Sequence, residues 1–377
     1  MEDIAAFARS EKSNIWKFQH GMSHLIGASF QNFKKHEFNA LLLLTLEKPS
    51  ELCKLLRTNF IVLEETINYP IYKLYTIEKK KGGTREIFAP GNRLKLYQKT
   101  LNFYLQAYYL WIKPEEVHGF VINPNYLGTQ CNIVENAKVH INKKYVLNID
   151  LKDFFPNIKA YRVKELFTSP LFKFNEPLAT ALTLLTTLQG KLPIGAPTSP
   201  VISNFICHQL DKDLKEFCVT DNLAYTRYAD DLTFSSDLEI TTDTILDIIN
   251  LINKNDFQIN EKKLRLKTSG RRQIVTGLTV NEKVNVDRKL LKKIRAMLHD
   301  FITNGLHHAT KKHFKLKEGF RIEYLTRFMN RLEGYINFVG QVRGKNDALY
   351  RKFKSQIKPK PEYIVTSTLT VNRDFDE

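Results

Sequence analysis

Cysteine is scarce in this chain. Four occur in 377 residues, Cys53, Cys131, Cys207 and Cys218, and their spacing makes no zinc or redox motif. A disulfide scaffold is thereby excluded, and reduced thiols in a cytosolic protein are the expectation. Long apolar runs are missing as well. The longest aliphatic run, Ala40-Leu41-Leu42-Leu43-Leu44, falls far short of the ~20 residues that span a bilayer, so no membrane partner is expected. The N-terminus lacks a basic stretch followed by an apolar one, so no signal peptide is expected. Repeats and low-complexity tracts are also missing. Acidic residues are outnumbered, 40 against 57 Lys and Arg, for a net charge of +17 and a pI near 9.5. That excess points to a polyanionic partner, most simply nucleic acid.

The rest of the composition is globular, with 43% hydrophobic and 26% charged residues. The length allows two or three domains with cores. The charge is uneven: residues 281–360 hold 20 Lys and Arg against 7 Asp and Glu. Basic side chains there are interleaved with Phe301, Phe314, Phe320, Tyr324, Phe328, Tyr335 and Phe338, a pattern that favours a nucleic-acid surface over a merely solvated face.

The most informative string is Tyr228-Ala229-Asp230-Asp231, flanked on both sides by apolar and β-favouring residues. It reads as two short strands joined by a tight turn that carries two aspartates. Adjacent carboxylates repel unless a cation sits between them, and a hard divalent ion is the natural guest. A second acidic site lies upstream, where the apolar strand Tyr145-Val146-Leu147-Asn148-Ile149 ends on Asp150. Asp150 and the Asp230/Asp231 pair could converge on two Mg²⁺ ions for in-line phosphoryl chemistry. Taken singly, the turn also fits an ordinary polar hairpin and Asp150 a helix cap.

Residues 1–65 read as helices. A β-hairpin is expected over 70–90, its basic turn Lys79-Lys80-Lys81-Gly82-Gly83 closing over phosphates and Arg85 reaching a triphosphate. A helix from Leu94 to Trp111 follows, and another carries Asn136-Ala137-Lys138-Val139-His140. The loop Leu192 to Pro200 is stiffened by prolines and bared at Gly195, which would let it approach a base pair or sugar. One helix is expected over Val201–Phe217, another over Thr241–Asn253, and a strand over Phe257–Leu266. Strand, helix, paired strands and helix fit a split βαβ core.

Five strings in this order, LNIDLKDFFPNI, GAPTSPVISN, RYADDLTFS, FQINEKKLRL and IVTGLTV, resemble the reverse transcriptases over roughly residues 70–340. Asn136-Ala137-x-x-His140 and Val275-Thr276-Gly277 are similar to the paired elements that mark the bacterial retron subfamily. The resemblance implies an α+β right-hand polymerase. Its parts are an N-terminal helical segment (1–65), fingers (66–125), a palm with the split βαβ antiparallel sheet (126–280) and a helical, basic, RNA-binding thumb (281–377).

It assigns the metals, two Mg²⁺ with Mn²⁺ as substitute, to Asp150, the Leu151 carbonyl, Asp230 and Asp231. Lys263 would be the general acid for the leaving pyrophosphate. Lys80, Arg85, Phe155, Gly195 and Ala196 would hold the dNTP, Phe155 as a gate against the ribose 2′-hydroxyl. Asn136, His140, Tyr228, Val275, Thr276, Gly277, Lys311, Lys312 and Lys315 would bind RNA or DNA. Ile194 departs from the glutamine that many reverse transcriptases carry before the loop glycine, which removes any amide contact there.

A retron enzyme is expected to copy its own structured noncoding RNA into single-stranded DNA. It primes from a guanosine 2′-hydroxyl to give branched msDNA, and acts with a separate effector protein in antiphage defence. No RNase H or endonuclease region is expected beyond the thumb. The rival readings are a group II intron-like reverse transcriptase, and an RNA-binding scaffold or antitoxin subunit with a dispensable polymerase site.

Overall fold

The computed structural model describes residues 3–20, 33–78, 82–125, 127–128, 130–317 and 319–357. It divides into two compact units, 1–276 and 277–377. Lys80 lies outside the described residues. No helix among them is long and apolar enough to cross a membrane.

Six strands matter in the first unit: β1 (Tyr72–Glu78), β2 (Thr84–Pro90), β3 (Tyr145–Asp150), β4 (Ala224–Tyr228), β5 (Asp231–Ser236) and β6 (Arg265–Thr268). β1 and β2 form an antiparallel hairpin with Tyr75 opposite Ile87. The other four make one antiparallel sheet in the order β4-β5-β3-β6. Connected through helices after β3 and between β5 and β6, this is the split βαβ arrangement the sequence pattern suggested. The two central strands carry the apolar sequences: Val146, Leu147 and Ile149 on β3 and Leu232 and Phe234 on β5 are all buried. Inner strands are covered on both faces, so their residues read as apolar runs instead of alternating.

Helices Lys35–Leu44, Pro49–Leu56, Asn92–Ile112, Glu176–Thr186 and Ser199–Ile206 complete one apolar core with the sheet. Asn59 and Asn175 cap their helices by accepting from Val62 and Leu178 backbone amides. The helix expected over 201–217 is two, Ser199–Ile206 and His208–Thr220, meeting at Cys207.

The strand expected over 257–266 is also corrected. Residues 261–263 form a 3₁₀ turn, and the strand occupies 265–268. The Asn260 amide donates to the Asp150 carbonyl (2.8 Å) and the Lys263 amide to the Asn260 carbonyl. The tight turn swings Asn260 and Lys263 toward Asp150, which an extended strand could not do.

In the second unit, helices Arg288–Phe314, Glu323–Arg343 and Ala348–Ile357 pack on one another. The first is broken at Gly305 (φ 78°, ψ 169°). Buried Asp300 then reaches Lys312 (2.9 Å) and His313 (2.8 Å), so the segments on either side of the break fold back on each other.

Candidate active site

β4 and β5 are joined by two residues, Ala229 and Asp230. Tyr228 and Asp231 close the ladder. Of the two loop residues only Ala229 has a positive φ, +60°, as in a type II′ turn, where glycine is usual. An alanine there is strained by ~1–2 kcal/mol, and such strain persists only where the surroundings hold it.

Asp150, the last residue of β3, lies directly opposite Asp231 on β5. Directly opposed residues of an antiparallel pair project from the same face. The Leu151 amide donates to the Asp230 carbonyl (2.9 Å), which ties the end of β3 to the turn. Three aspartates, two at strand ends and one on the turn, thus lie at the same end of the sheet.

Beside them is a cavity of about 630 Å³. Asp150 and Asp230 form part of its wall, with Arg85 of β2, Phe155, Ile194 and Lys263 around the rest. Withdrawal from water pushes the Asp230 carboxyl up, the Asp150 charge adds to that, and Lys263 and Arg85 oppose it. Withdrawal from water, and then the charges of Asp230 and Asp150, push Asp231 up to about 6. Asp231 keeps an exposed edge, which tempers the desolvation.

Lys263 answers this charge directly. Its ammonium lies 2.8 and 2.7 Å from the two oxygens of Asp150, and the Asn260 amide side chain stands 3.4 Å from one of them. As they stand, no three His, Cys, Asp or Glu side chains among the described residues are grouped to hold a metal ion. The donor chemistry nevertheless fits a hard divalent cation: oxygen ligands from neighbouring carboxylates, two of which burial and nearby negative charge push above the usual carboxylate range.

Phe155 is half-buried, its ring 5.8 Å from that of Phe120 and 5.3 Å from that of Phe154. Arg85 is exposed. Tyr228 is partly buried at the end of β4.

Other residues singled out from the sequence lie differently. Gly195 has a φ of +111°, and a Cβ there would fall 2.7 Å from Ile87 Cγ2 and 3.0 Å from the Phe88 carbonyl. The missing side chain lets the loop pack on β2, where the Phe88 amide donates to the Ile194 carbonyl (2.7 Å). Ala196 is buried. Gly195 itself stays exposed beside it.

Asn136, His140 and Val275 are buried too, so they present nothing to RNA. The His140 ring bridges Ser235 and Thr226 (2.7 Å each). Burial, with the nearby His118 and Lys143 charges, pushes its pKa down to about 3. Thr276 donates to the Ile133 carbonyl (3.2 Å), at the start of the helix that carries Asn136. Gly277 adopts a φ of +84°. In the second unit, Lys312 is committed to Asp300, Lys311 is partly buried, and Lys315 is exposed at a left-handed helix end.

The sequence gives little sign of what lies beneath the turn. Arg227 and Asp211 form an ion pair in which neither side chain has any exposed surface. Nε donates to one Asp211 oxygen (2.7 Å) and a terminal nitrogen to the other (2.6 Å). The available signal is an arginine set among the β-favouring residues of a strand, which requires a buried partner.

The family described as reverse transcriptase (RNA-dependent DNA polymerase) matches residues 77–316. The chain is 31% identical over 281 residues to the retron Ec86 reverse transcriptase of Escherichia coli, covering 73% of this chain and 83% of that protein. With the retron Ec73 reverse transcriptase of the same species it shares 36% over 248 residues, covering 60% and 74%. It is 32% identical to the retron Mx65 reverse transcriptase of Myxococcus xanthus over 60% of this chain, and spans 55% of that longer relative. Among solved structures, a telomerase from Candida albicans solved with a fragment of telomeric RNA aligns with a TM-score of 0.41 and 11% identity, covering 76% of this chain and 63% of that one. That likeness is too slight to carry weight.

Proposed function

The chain belongs to the reverse transcriptase family as a retron-type RNA-directed DNA polymerase, and from that premise we propose that it copies a structured noncoding RNA into single-stranded DNA. The observation that carries the site assignment is the register of Asp150 against Asp231, with Asp230 on the turn between strands.

Asp150, Asp230, Asp231 and the Leu151 carbonyl would hold two Mg²⁺, or Mn²⁺. When bound, the ions activate the primer hydroxyl and neutralise the leaving pyrophosphate. The carboxylates keep the site anionic until then, and Lys263 holds Asp150 in check. Arg85, with Lys80 five residues before it in the sequence, would meet the incoming triphosphate as a charge-assisted donor. Phe155 closes the sugar side, where its ring collides with a ribose 2′-hydroxyl. Released from Asp150, Lys263 is placed to give a proton to pyrophosphate.

In this reading the fingers are 66–125, the palm 126–280 and the thumb 281–377. The thumb reads the RNA through phosphates and 2′-hydroxyls. Lys293 over the Tyr335 ring (4.9 Å) and Arg331 over Phe314 (4.4 Å) are the kind of basic and aromatic pairing that suits this. Priming from a guanosine 2′-hydroxyl, a branched RNA–DNA product and action with a separate effector in antiphage defence complete the proposal.

The test is primer extension by the purified full chain on an RNA template with Mg²⁺. Incorporation of dNTPs that stops on chelation is expected. A chain that binds RNA in a salt-dependent way yet incorporates nothing would favour an RNA-binding scaffold.

A further inference from the structure

We infer that Arg227, clamped by Asp211, is a positioning residue that holds the aspartate-bearing turn in its strained geometry. This rests on the reading of Asp150, Asp230 and Asp231 as metal ligands.

The turn needs holding, because Ala229 sits at φ +60° where a side chain is unfavourable. Two features hold it. From below, an Arg227 terminal nitrogen donates to the Ala229 carbonyl (3.2 Å). The same nitrogen donates to Asn204 Oδ1 (2.9 Å), and the Asn204 amide donates to the Gly119 carbonyl (3.0 Å). From the side, Gly119 presses against the turn: a Cβ there would stand 2.3 Å from the Ala229 nitrogen and 2.8 Å from the Tyr228 carbonyl carbon. Backbone pairing locks this wall to β4, with the Arg227 amide donating to the Glu116 carbonyl and the His118 amide to the Arg227 carbonyl (2.9 Å each).

Asp211 sets the aim of the guanidinium. Its carboxylate takes the Arg227 fork and also accepts from the Tyr225 hydroxyl (2.8 Å). A planar guanidinium held by two donors along one edge has one orientation left, and that orientation points its remaining nitrogen at Ala229 and Asn204. Residues that orient ligands in this way tune metal affinity without touching the metal.

The test uses the full chain, with Mn²⁺ as probe. Bound Mn²⁺ is counted by electron paramagnetic resonance, thermal melting follows the fold, and primer extension gives kcat and KM. Arg227→Met with Asp211→Met replaces the pair by apolar side chains, a change that buried pairs tolerate. Cooperative melting is expected to survive, with Mn²⁺ half-saturation weaker by about tenfold or more. In the same variant kcat falls while the KM for dNTP is little changed. Adding Ala229→Gly removes the strain and is expected to recover most of the Mn²⁺ affinity, which a merely structural role would not allow.

A folded double variant that binds Mn²⁺ as the parent does overturns the inference, and so does failure of Ala229→Gly to recover any affinity. Should the double variant not fold, Gly119→Ala decides on the same readout: weakened Mn²⁺ binding supports the inference and unchanged binding overturns it. Unchanged Mn²⁺ binding in Asp230→Asn with Asp231→Asn overturns the ligand reading itself, and the inference with it.

Discussion

The Lys263 ammonium lies 2.8 and 2.7 Å from the two oxygens of Asp150, the residue that faces Asp231 across the sheet. One cation on a cluster of three acids makes the metal-free site tolerable. Lys263→Met should therefore tighten Mn²⁺ binding while lowering the metal-free melting temperature slightly. The stability effect stays under about 1 kcal/mol because Lys263 is half-exposed. Melting with and without Mn²⁺ reads both. Weaker Mn²⁺ binding in the variant would contradict competition between the lysine and the ion.

Phe155 forms part of the cavity wall and packs on Phe120 and Phe154. Phe155→Ala should raise the ratio of rNTP to dNTP incorporation by about tenfold or more. It should cost about 1–2 kcal/mol of stability, less than a fully buried ring would. Competing extension reactions with each nucleotide set check it, and unchanged sugar discrimination removes the gate assignment.

His140 makes stability fall on the acid side. Its pKa is about 3 in the fold against 6.5 for the free side chain, so the unfolded chain takes up the proton first. Its contribution is complete above pH 6.5 and is lost as the pH falls toward 3. Between pH 6.5 and 5 the loss is about 2 kcal/mol at ~1.4 per unit. His140→Gln, able to bridge Thr226 and Ser235, should flatten that limb by about this amount. Urea unfolding across the range measures it; an unchanged slope would place the acid sensitivity elsewhere, His118 being next, pushed down to about 4 by burial and Lys113.

Lys315 is exposed, whereas Lys312 is tied to Asp300. Reversing Lys311 and Lys315 to Glu, with Lys312 left in place, should weaken RNA binding and reduce its salt slope by about 1 for each phosphate that is no longer neutralised. Binding isotherms at several salt concentrations test this. An unaltered slope would move the RNA site away from this helix end.

Local signals are legible in the sequence. The Asp150 strand, the Asp230/Asp231 turn and the basic hairpin each declare themselves within about ten residues, through apolar runs and turn chemistry. What depends on distant partners is not. Gly195 reads as an opening toward a ligand and stays exposed, and only the placement of Ile87 and Phe88 shows that its missing side chain also serves packing. Asn136 and His140 read as polar residues available to RNA, yet their partners or cover come from elements far away in the chain. The 3₁₀ turn at 261–263 replaces an expected strand because Asp150, more than a hundred residues earlier, captures Asn260 and Lys263. Arg227 stands inside the most informative motif of the chain, but its role depends on Asp211 and Asn204 from other helices.

The central claim is that the three aspartates drive DNA synthesis on a cognate RNA. The most direct measurement is a gel of nucleic acid co-purified with the chain expressed from its native locus, treated separately with RNase and DNase, beside Asp230→Asn with Asp231→Asn. The account predicts a short DNA of fixed length that shifts on RNase treatment and is missing from the variant, while the variant stays soluble and retains RNA. The same DNA in both lanes, or RNA alone in both, would contradict it.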